Sequence, residues 1–176
     1  AGGPINNKGM IAGMAQTSTV DPLGEYWGSI LTCSAAGGSC QGYENLVLSF
    51  VWQHGVMTAL PTLGGNNALS PSDDVLNNLG QVVGFAENST QDPNCVAPQV
   101  LDWQAVIWGP KLGEVRELPT LPGDVVGAAL GINDHGQVVG GTSSTCGFPS
   151  IALPFHAVLW QHGSVLNLGS FGGAFS

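Results

Sequence analysis

The sequence is short of positive charge, of charge altogether and of long apolar runs. Lys8, Lys111 and Arg116 are its only basic residues, against 12 acidic ones, for a formal net charge of −9. A phosphate backbone is bound by clustered Lys and Arg that displace its counterions, so nucleic acid is excluded as a partner. An anionic membrane surface is disfavoured for the same reason. No apolar stretch reaches the roughly 18 residues that a transmembrane helix needs, so no membrane insertion is expected. CxxC, GxxxxGK[ST], GxSxG and HExxH patterns are all missing. Structural zinc, dithiol redox chemistry, nucleotide-phosphate cradling and the two commonest hydrolase signatures go with them. The expectation is a protein without cofactor, metal or catalytic residues, and not an enzyme. The opening stretch AGGPINNKG also lacks the basic and apolar regions of a signal peptide.

What the chain has in quantity is glycine, 27 residues, and a motif that recurs. Ile5-Asn6-Asn7-Lys8-Gly9-Met10-Ile11-Ala12-Gly13 returns as Leu76-Asn77-Asn78-Leu79-Gly80-Gln81-Val82-Val83-Gly84, and again as Ile132-Asn133-Asp134-His135-Gly136-Gln137-Val138-Val139-Gly140. A second motif follows each copy: Val51-Trp52-Gln53-His54-Gly55, Ile107-Trp108-Gly109-Pro110 and Leu159-Trp160-Gln161-His162-Gly163. A third closes each unit: Leu60-Pro61-Thr62-Leu63, Leu118-Pro119-Thr120-Leu121 and Leu168-Gly169-Ser170-Phe171. Three motifs in one order, three times over, define three units: 1–65 with a long cysteine-containing loop, 66–123, and 124–176 with the start of a further unit.

Each unit reads as four short strands. An apolar stretch runs into an Asn-x-x-Gly turn, where Asn and Asp tolerate left-handed or bridge conformations and Gly takes positive φ. The chain returns through paired valines, which favour a pleated strand. A variable loop, a third strand ending at the Trp, a tight turn and a fourth strand complete the unit. No window keeps a helical period over three turns. The fold expected is all-β: three four-stranded antiparallel blades of a β-propeller, ahead of a β-sandwich or a β-solenoid. Three blades do not close a ring, so they are expected to belong to a larger one, completed by further blades of the same chain or by other copies of it.

The pattern IN-x-x-GQVVG, HAVLW-x-x-G, LG-x-x-GG resembles the bacterial extracellular HAF repeat, named for the triad that stands here as His156-Ala157-Val158. The second and first units depart from it with Gln104-Ala105-Val106 and Leu48-Ser49-Phe50. The resemblance implies export and a propeller-like fold, and it supplies no catalytic residue.

Individuality lies in the loop between second and third strands, and long loops on a rigid scaffold are where binding tends to sit. The first of these loops carries Tyr26, Trp27 and Tyr43, the candidates for ligand contact, since aromatic faces stack on sugars and anchor interfaces. It also holds Cys33 and Cys40, while Cys95 and Cys146 occupy the same loop in the next two units. Four cysteines allow three pairings. The preferred one joins Cys33 to Cys40 within a loop and Cys95 to Cys146 across two units, which places the protein in an oxidising, extracellular compartment. Asn66, Asn67, Asp73 and Asp74 are rich in oxygen but lack the spacing of a calcium loop. The expected function is a secreted structural, self-assembling module, or one that binds a glycan or cell-surface protein. A secreted enzyme acting on polysaccharide and a calcium-stabilised adhesive domain are the alternatives.

Overall fold

A computed structural model describes residues 2–25, 27, 44–71, 73–147 and 154–172. These form twelve strands and, among the described residues, no helix: β1 (Gly2–Ile5), β2 (Ile11–Val20), β3 (Asn45–Gln53), β4 (Val56–Ala59), β5 (Gly64–Leu69), β6 (Val82–Gln91), β7 (Leu101–Trp108), β8 (Val115–Glu117), β9 (Val126–Ile132), β10 (Val138–Ser143), β11 (His156–Gln161) and β12 (Ser164–Asn167). They pair into three separate four-stranded antiparallel sheets, each an up-and-down meander of consecutive strands. The second sheet starts at Gly64, so the Gly64-Gly65 pair that the sequence assigns to the first unit lies in β5.

The repeated motifs have local causes. In each Asn-x-x-Gly turn the first Asn side chain caps the turn from inside. Asn6 Oδ1 accepts from the N–H groups of Lys8 and Met10, at 2.9 and 3.0 Å. Asn77 Oδ1 accepts from Leu79 and Gln81, and Asn133 Oδ1 from His135 and Gln137, all within 2.9–3.1 Å. Asn is therefore required as an acceptor and not for a left-handed backbone. The described residues with positive φ outside glycine are His54 and His162, at 51° and 53°. Each is followed by a positive-φ glycine, the pairing that a tight hairpin turn with the strand's own twist demands.

Neighbouring sheets are tied by contacts that repeat from one pair of units to the next. Asn6 Nδ2 donates to the Asn77 carbonyl at 3.0 Å, and Asn77 Nδ2 to the Asn133 carbonyl at 3.1 Å. The Asn7 N–H donates to Asn78 Oδ1, and the Asn78 N–H to Asp134 Oδ1. The bonds from Asn78 hold the Asp134 carboxyl below the usual aspartate range. In the opposite sense, the Trp108 indole N–H reaches back to the Pro61 carbonyl at 2.7 Å and that of Trp160 to the Pro119 carbonyl at 2.6 Å. Around these bonds lies one apolar core shared by the three sheets, with Val51, Leu60, Val82, Trp108, Leu118 and Trp160 among its buried members.

Asn77 therefore holds its own turn and joins the second unit to the third. Asn77→Ala removes two acceptor bonds and two donor bonds, one of them across the unit boundary. It is expected to destabilise the chain by about 2 kcal/mol in urea unfolding, since a net protein hydrogen bond contributes roughly 1 kcal/mol and water re-solvates some of the freed groups.

Candidate functional site

The densest polar constellation is buried between the first two units. Asp21 follows β2, Glu25 and Trp27 stand at the start of the long loop, Asn67 is in β5, Glu87 in β6, and Gln99 just before β7. Glu25, Glu87, Asn67 and Trp27 are fully buried, and Asp21 and Gln99 nearly so. Glu25 Oε1 accepts from Gln99 Nε2 and from the N–H groups of Val100 and Leu101, at 2.9, 2.9 and 2.7 Å. Glu87 Oε2 accepts from the N–H groups of Asn66 and Asn67 at 3.0 and 2.8 Å, and from Asn67 Nδ2 at 3.2 Å. Asn67 Nδ2 also donates to Asp21 Oδ2, and its Oδ1 accepts from the Val47 N–H. The amide of Asn67 thus bridges the first sheet to Glu87.

The hydrogen count in this cluster locates a proton. Gln99 Nε2 has two hydrogens but three acceptors in reach: Glu25 Oε1, Leu101 O and, at the longest distance of 3.1 Å, Glu87 Oε1. Glu25 Oε2 is buried with no hydrogen-bond partner among the described residues, and the Glu25 and Glu87 carboxyls are close enough to interact. A proton held by the Glu87 carboxyl removes one of the acceptors that compete for Gln99 and leaves Gln99 its two shorter bonds. The electrostatics agree: burial first, and the charge of Glu25 second, push Glu87 up to about 8 against the bonds from Gln99 and Asn67. Two carboxyls sharing a proton are the raw material of acid–base catalysis. Here both are closed off from solvent.

Beside this cluster lies a second core. The Trp27 ring meets Phe85 at 5.6 Å and Trp103 edge-on at 6.5 Å between centroids, and its N–H donates to Gln99 Oε1. Of the three aromatic residues put forward for ligand contact, Trp27 is therefore an internal anchor of the loop with its indole enclosed. Tyr26 and Tyr43 lie outside the described residues, as do Cys33 and Cys40. Trp103 continues the aromatic cluster to Phe155 and donates to the Gly147 carbonyl at 3.0 Å. The sequence motifs do not single out Trp103 or the two glutamates, because each stands outside the recurring positions.

Cys95 and Cys146 form a disulfide between the loops of the second and third units, their Cα atoms 4.5 Å apart. The adjacent Val96 N–H donates to the Cys146 carbonyl. Asp92 and Asp102 stand beside the sulfurs; burial, then the charge of Asp92, raises Asp102. With the sulfurs bonded to each other, the group offers a cation two carboxylates and no thiolate. The oxygen-rich residues of the inter-unit turn do not gather either: Asn67 is buried and bonded as above, whereas Asp73 and Asp74 are exposed.

His156, the first residue of the HAF-like triad, begins β11 and directs Nδ1 to Asp124 Oδ2 at 2.9 Å. The same oxygen accepts a short bond from the buried Thr142 hydroxyl. Gln104, at the matching position of the second unit, donates to the next residue's carbonyl, Val125, at 2.7 Å. The connection between second and third sheets is thus gripped from both sides, which gives the triad position a concrete structural use. Comparison with protein-family models, with curated proteins and with solved structures finds no match to this chain.

Proposed function

We propose that this chain is an extracellular, non-enzymatic repeat module, a stack of β-propeller-type blades akin to the HAF repeats, whose role is to assemble with further repeats of its own kind and display its loops. The observation that carries the reading is the repeated hand-over of hydrogen bonds between units, Asn amide to the next unit's Asn carbonyl and Trp indole to the previous unit's Pro carbonyl. Motif residues that recur most faithfully are used to bind the neighbouring unit, which is what a scaffold built by repetition requires. The Cys95–Cys146 bridge between successive loops supports an oxidising compartment. A glycan or a cell-surface protein is the further partner that the loops would meet.

The test is the native mass of the chain beside its denatured mass of 18.0 kDa, with polysaccharides screened in parallel for turnover. An assembly heavier than one chain and no release of sugar ends are expected. A single-chain native mass together with turnover would overturn the reading.

A further inference from the structure

The loops of the second and third units meet at four donors, Asp92, Cys95, Asp102 and Cys146, whose ligating atoms all lie within 4.8 Å of one another. Asp92 and Cys95 stand in the loop after β6, Asp102 near the start of β7, and Cys146 just after β10. Cys146 is buried and the other three are half-buried, so the set has one open side. Its donors are held in place without the sulfur–sulfur bond. The Val96 N–H donates to the Cys146 carbonyl at 2.8 Å, and Val96 pairs with Gly147 in a parallel bridge. The indole of Trp103, next to Asp102, donates to the Gly147 carbonyl at 3.0 Å. Asp92 is fixed by its own turn: Oδ1 accepts from the Asn94 N–H and Nδ2 at 2.8 and 2.9 Å, and its carbonyl accepts from the Cys95 N–H. Reduction of the bridge therefore frees two sulfurs inside a frame that other bonds keep closed.

Distances and donor chemistry match one ligand class. Zinc takes thiolate sulfur at about 2.3 Å and carboxylate oxygen at about 2.0 Å, so a sulfur and an oxygen on one tetrahedral ion lie about 3.5 Å apart. Cys95 Sγ and Asp102 Oδ1 are 3.9 Å apart. A bridged sulfur has no hydrogen to give that oxygen, and neither aspartate has an ion pair among the described residues. Two sulfurs and two carboxylates suit a soft or borderline ion. Calcium, which takes about six to eight oxygens, is not served by this set. The bonds from Asn94 orient the Asp92 carboxylate as outer partners orient a metal ligand.

We propose that Asp92, Cys95, Asp102 and Cys146 form a redox-gated site for a thiophilic divalent cation of the zinc class. While the sulfurs are bonded to each other, the site is shut. A dithiol attacks the sulfur of Cys95, the more exposed of the two residues, and displaces Cys146 as a thiolate. Its second thiol then resolves the mixed disulfide. The reductant leaves as its own disulfide, and two electrons and two protons have passed to the bridge. The cation takes both sulfurs as thiolates, releasing those two protons, and the two carboxylates complete four ligands. The tie between the second and third units thus passes from a covalent bond to a metal ion without the loops parting.

The experiment titrates Co2+, a coloured stand-in for zinc, into the chain with Cys33→Ser and Cys40→Ser, so that this pair alone supplies sulfur. A phosphine serves as reductant because a dithiol would compete for the metal. The reduced chain is expected to bind one Co2+ with the intense visible bands of tetrahedral thiolate cobalt, bleached by Zn2+, and the oxidised chain to show none. Asp92→Asn with Asp102→Asn is expected to weaken binding more than about tenfold while the bridge still re-forms in air, read by thiol count. Should the two serine changes prevent folding, the native chain serves, with the aspartate variant as the difference. Should reduction alone unfold the chain, it is reduced with Zn2+ present, and circular dichroism is expected to show the fold kept until a chelator is added. No thiolate bands on reduction, equal affinity in the aspartate variant, or unfolding despite Zn2+ each overturns the site. None of these outcomes touches the module reading, which is tested by native mass.

Discussion

Raising the pH from about 5 to about 9 is expected to destabilise this protein steadily, and Glu87→Gln is expected to abolish most of that loss. Folded Glu87 holds a proton up to about pH 8, against the ordinary glutamate value of 4.5 that the unfolded chain approaches. Between those two values the folded state binds a proton that the unfolded state has released. Stability therefore falls as pH rises through the window and levels off above it, with a slope of at most about 1.4 kcal/mol per pH unit. The stabilisation is complete below the unfolded value and is lost by the time the folded carboxyl ionises. Above that point Glu87 carries its charge beside Glu25 in a site closed to water. Asp21 is the third acid there, and among the described residues no Lys, Arg or His contributes a bond to the cluster.

Glutamine at 87 reproduces the protonated state at every pH. Its oxygen keeps the N–H groups of Asn66 and Asn67, and its amide stays uncharged beside Glu25. Thermal melts across this range are expected to show wild type and variant close together at the acid end. At the alkaline end the variant should melt higher by about 10 °C, the scale on which several kcal/mol moves the midpoint of a domain this size. Parallel pH profiles for the two proteins would mean that Glu87 is not the titrating group. The loop stem should respond too. Trp27 is bonded to Gln99 and packed on Phe85, so its emission is expected to shift to the red as the wild type is made alkaline and to hold steady in Glu87→Gln.

The sequence is legible wherever a residue acts through its position in the repeat. The four-strand unit, the turn glycines and the Trp at the end of the third strand follow from motif and spacing, because each answers a local constraint met three times, whereas the bridge of Cys95 to Cys146 occurs once and is one of three pairings that the cysteine count allows. Asn77 is a partial case. Its place in a turn is readable, but its Oδ1 as the acceptor that holds the turn, and its amide as the tie to the next unit, are properties of the stacked sheets. Glu25 and Glu87 are hidden for the opposite reason. Each occurs once, and a carboxylate in a polar loop or a strand gives no sign that a distant Gln99 and Asn67 will enclose it. Trp27 misleads by the same route: an aromatic in a long loop reads as a ligand contact until Phe85 and Trp103 are seen to surround it.

The other large effect is expected at the last glycine of the GQVVG motif. Gly140→Ala should cost more than about 3 kcal/mol and Gly127→Ala, in the neighbouring strand of the same sheet, less than about 1 kcal/mol. Composition gives no reason to separate them. The pairing of β9 with β10 does: its register slips between Val139 and Gly140, and the slip turns the Ala128 carbonyl toward Gly140. A Cβ there would lie 2.0 Å from that oxygen and 3.0 Å from the Ala129 Cα, both backbone atoms that no side-chain rotation can move away. At Gly127 the nearest atoms are 3.4–3.5 Å off, ordinary van der Waals contact, and its φ is not in the left-handed range. Gly84 repeats the Gly140 arrangement in the second sheet, with the Leu69 carbonyl 1.9 Å from the built Cβ. Chemical denaturation of Gly84→Ala, Gly140→Ala and Gly127→Ala therefore tests whether the motif's terminal glycine exists for close strand approach. Equal losses at all three would return it to the ordinary cost of changing a strand glycine. A selective loss at Gly84 and Gly140 would mean that the close approach of a first-strand carbonyl to the second strand is the feature the repeat preserves.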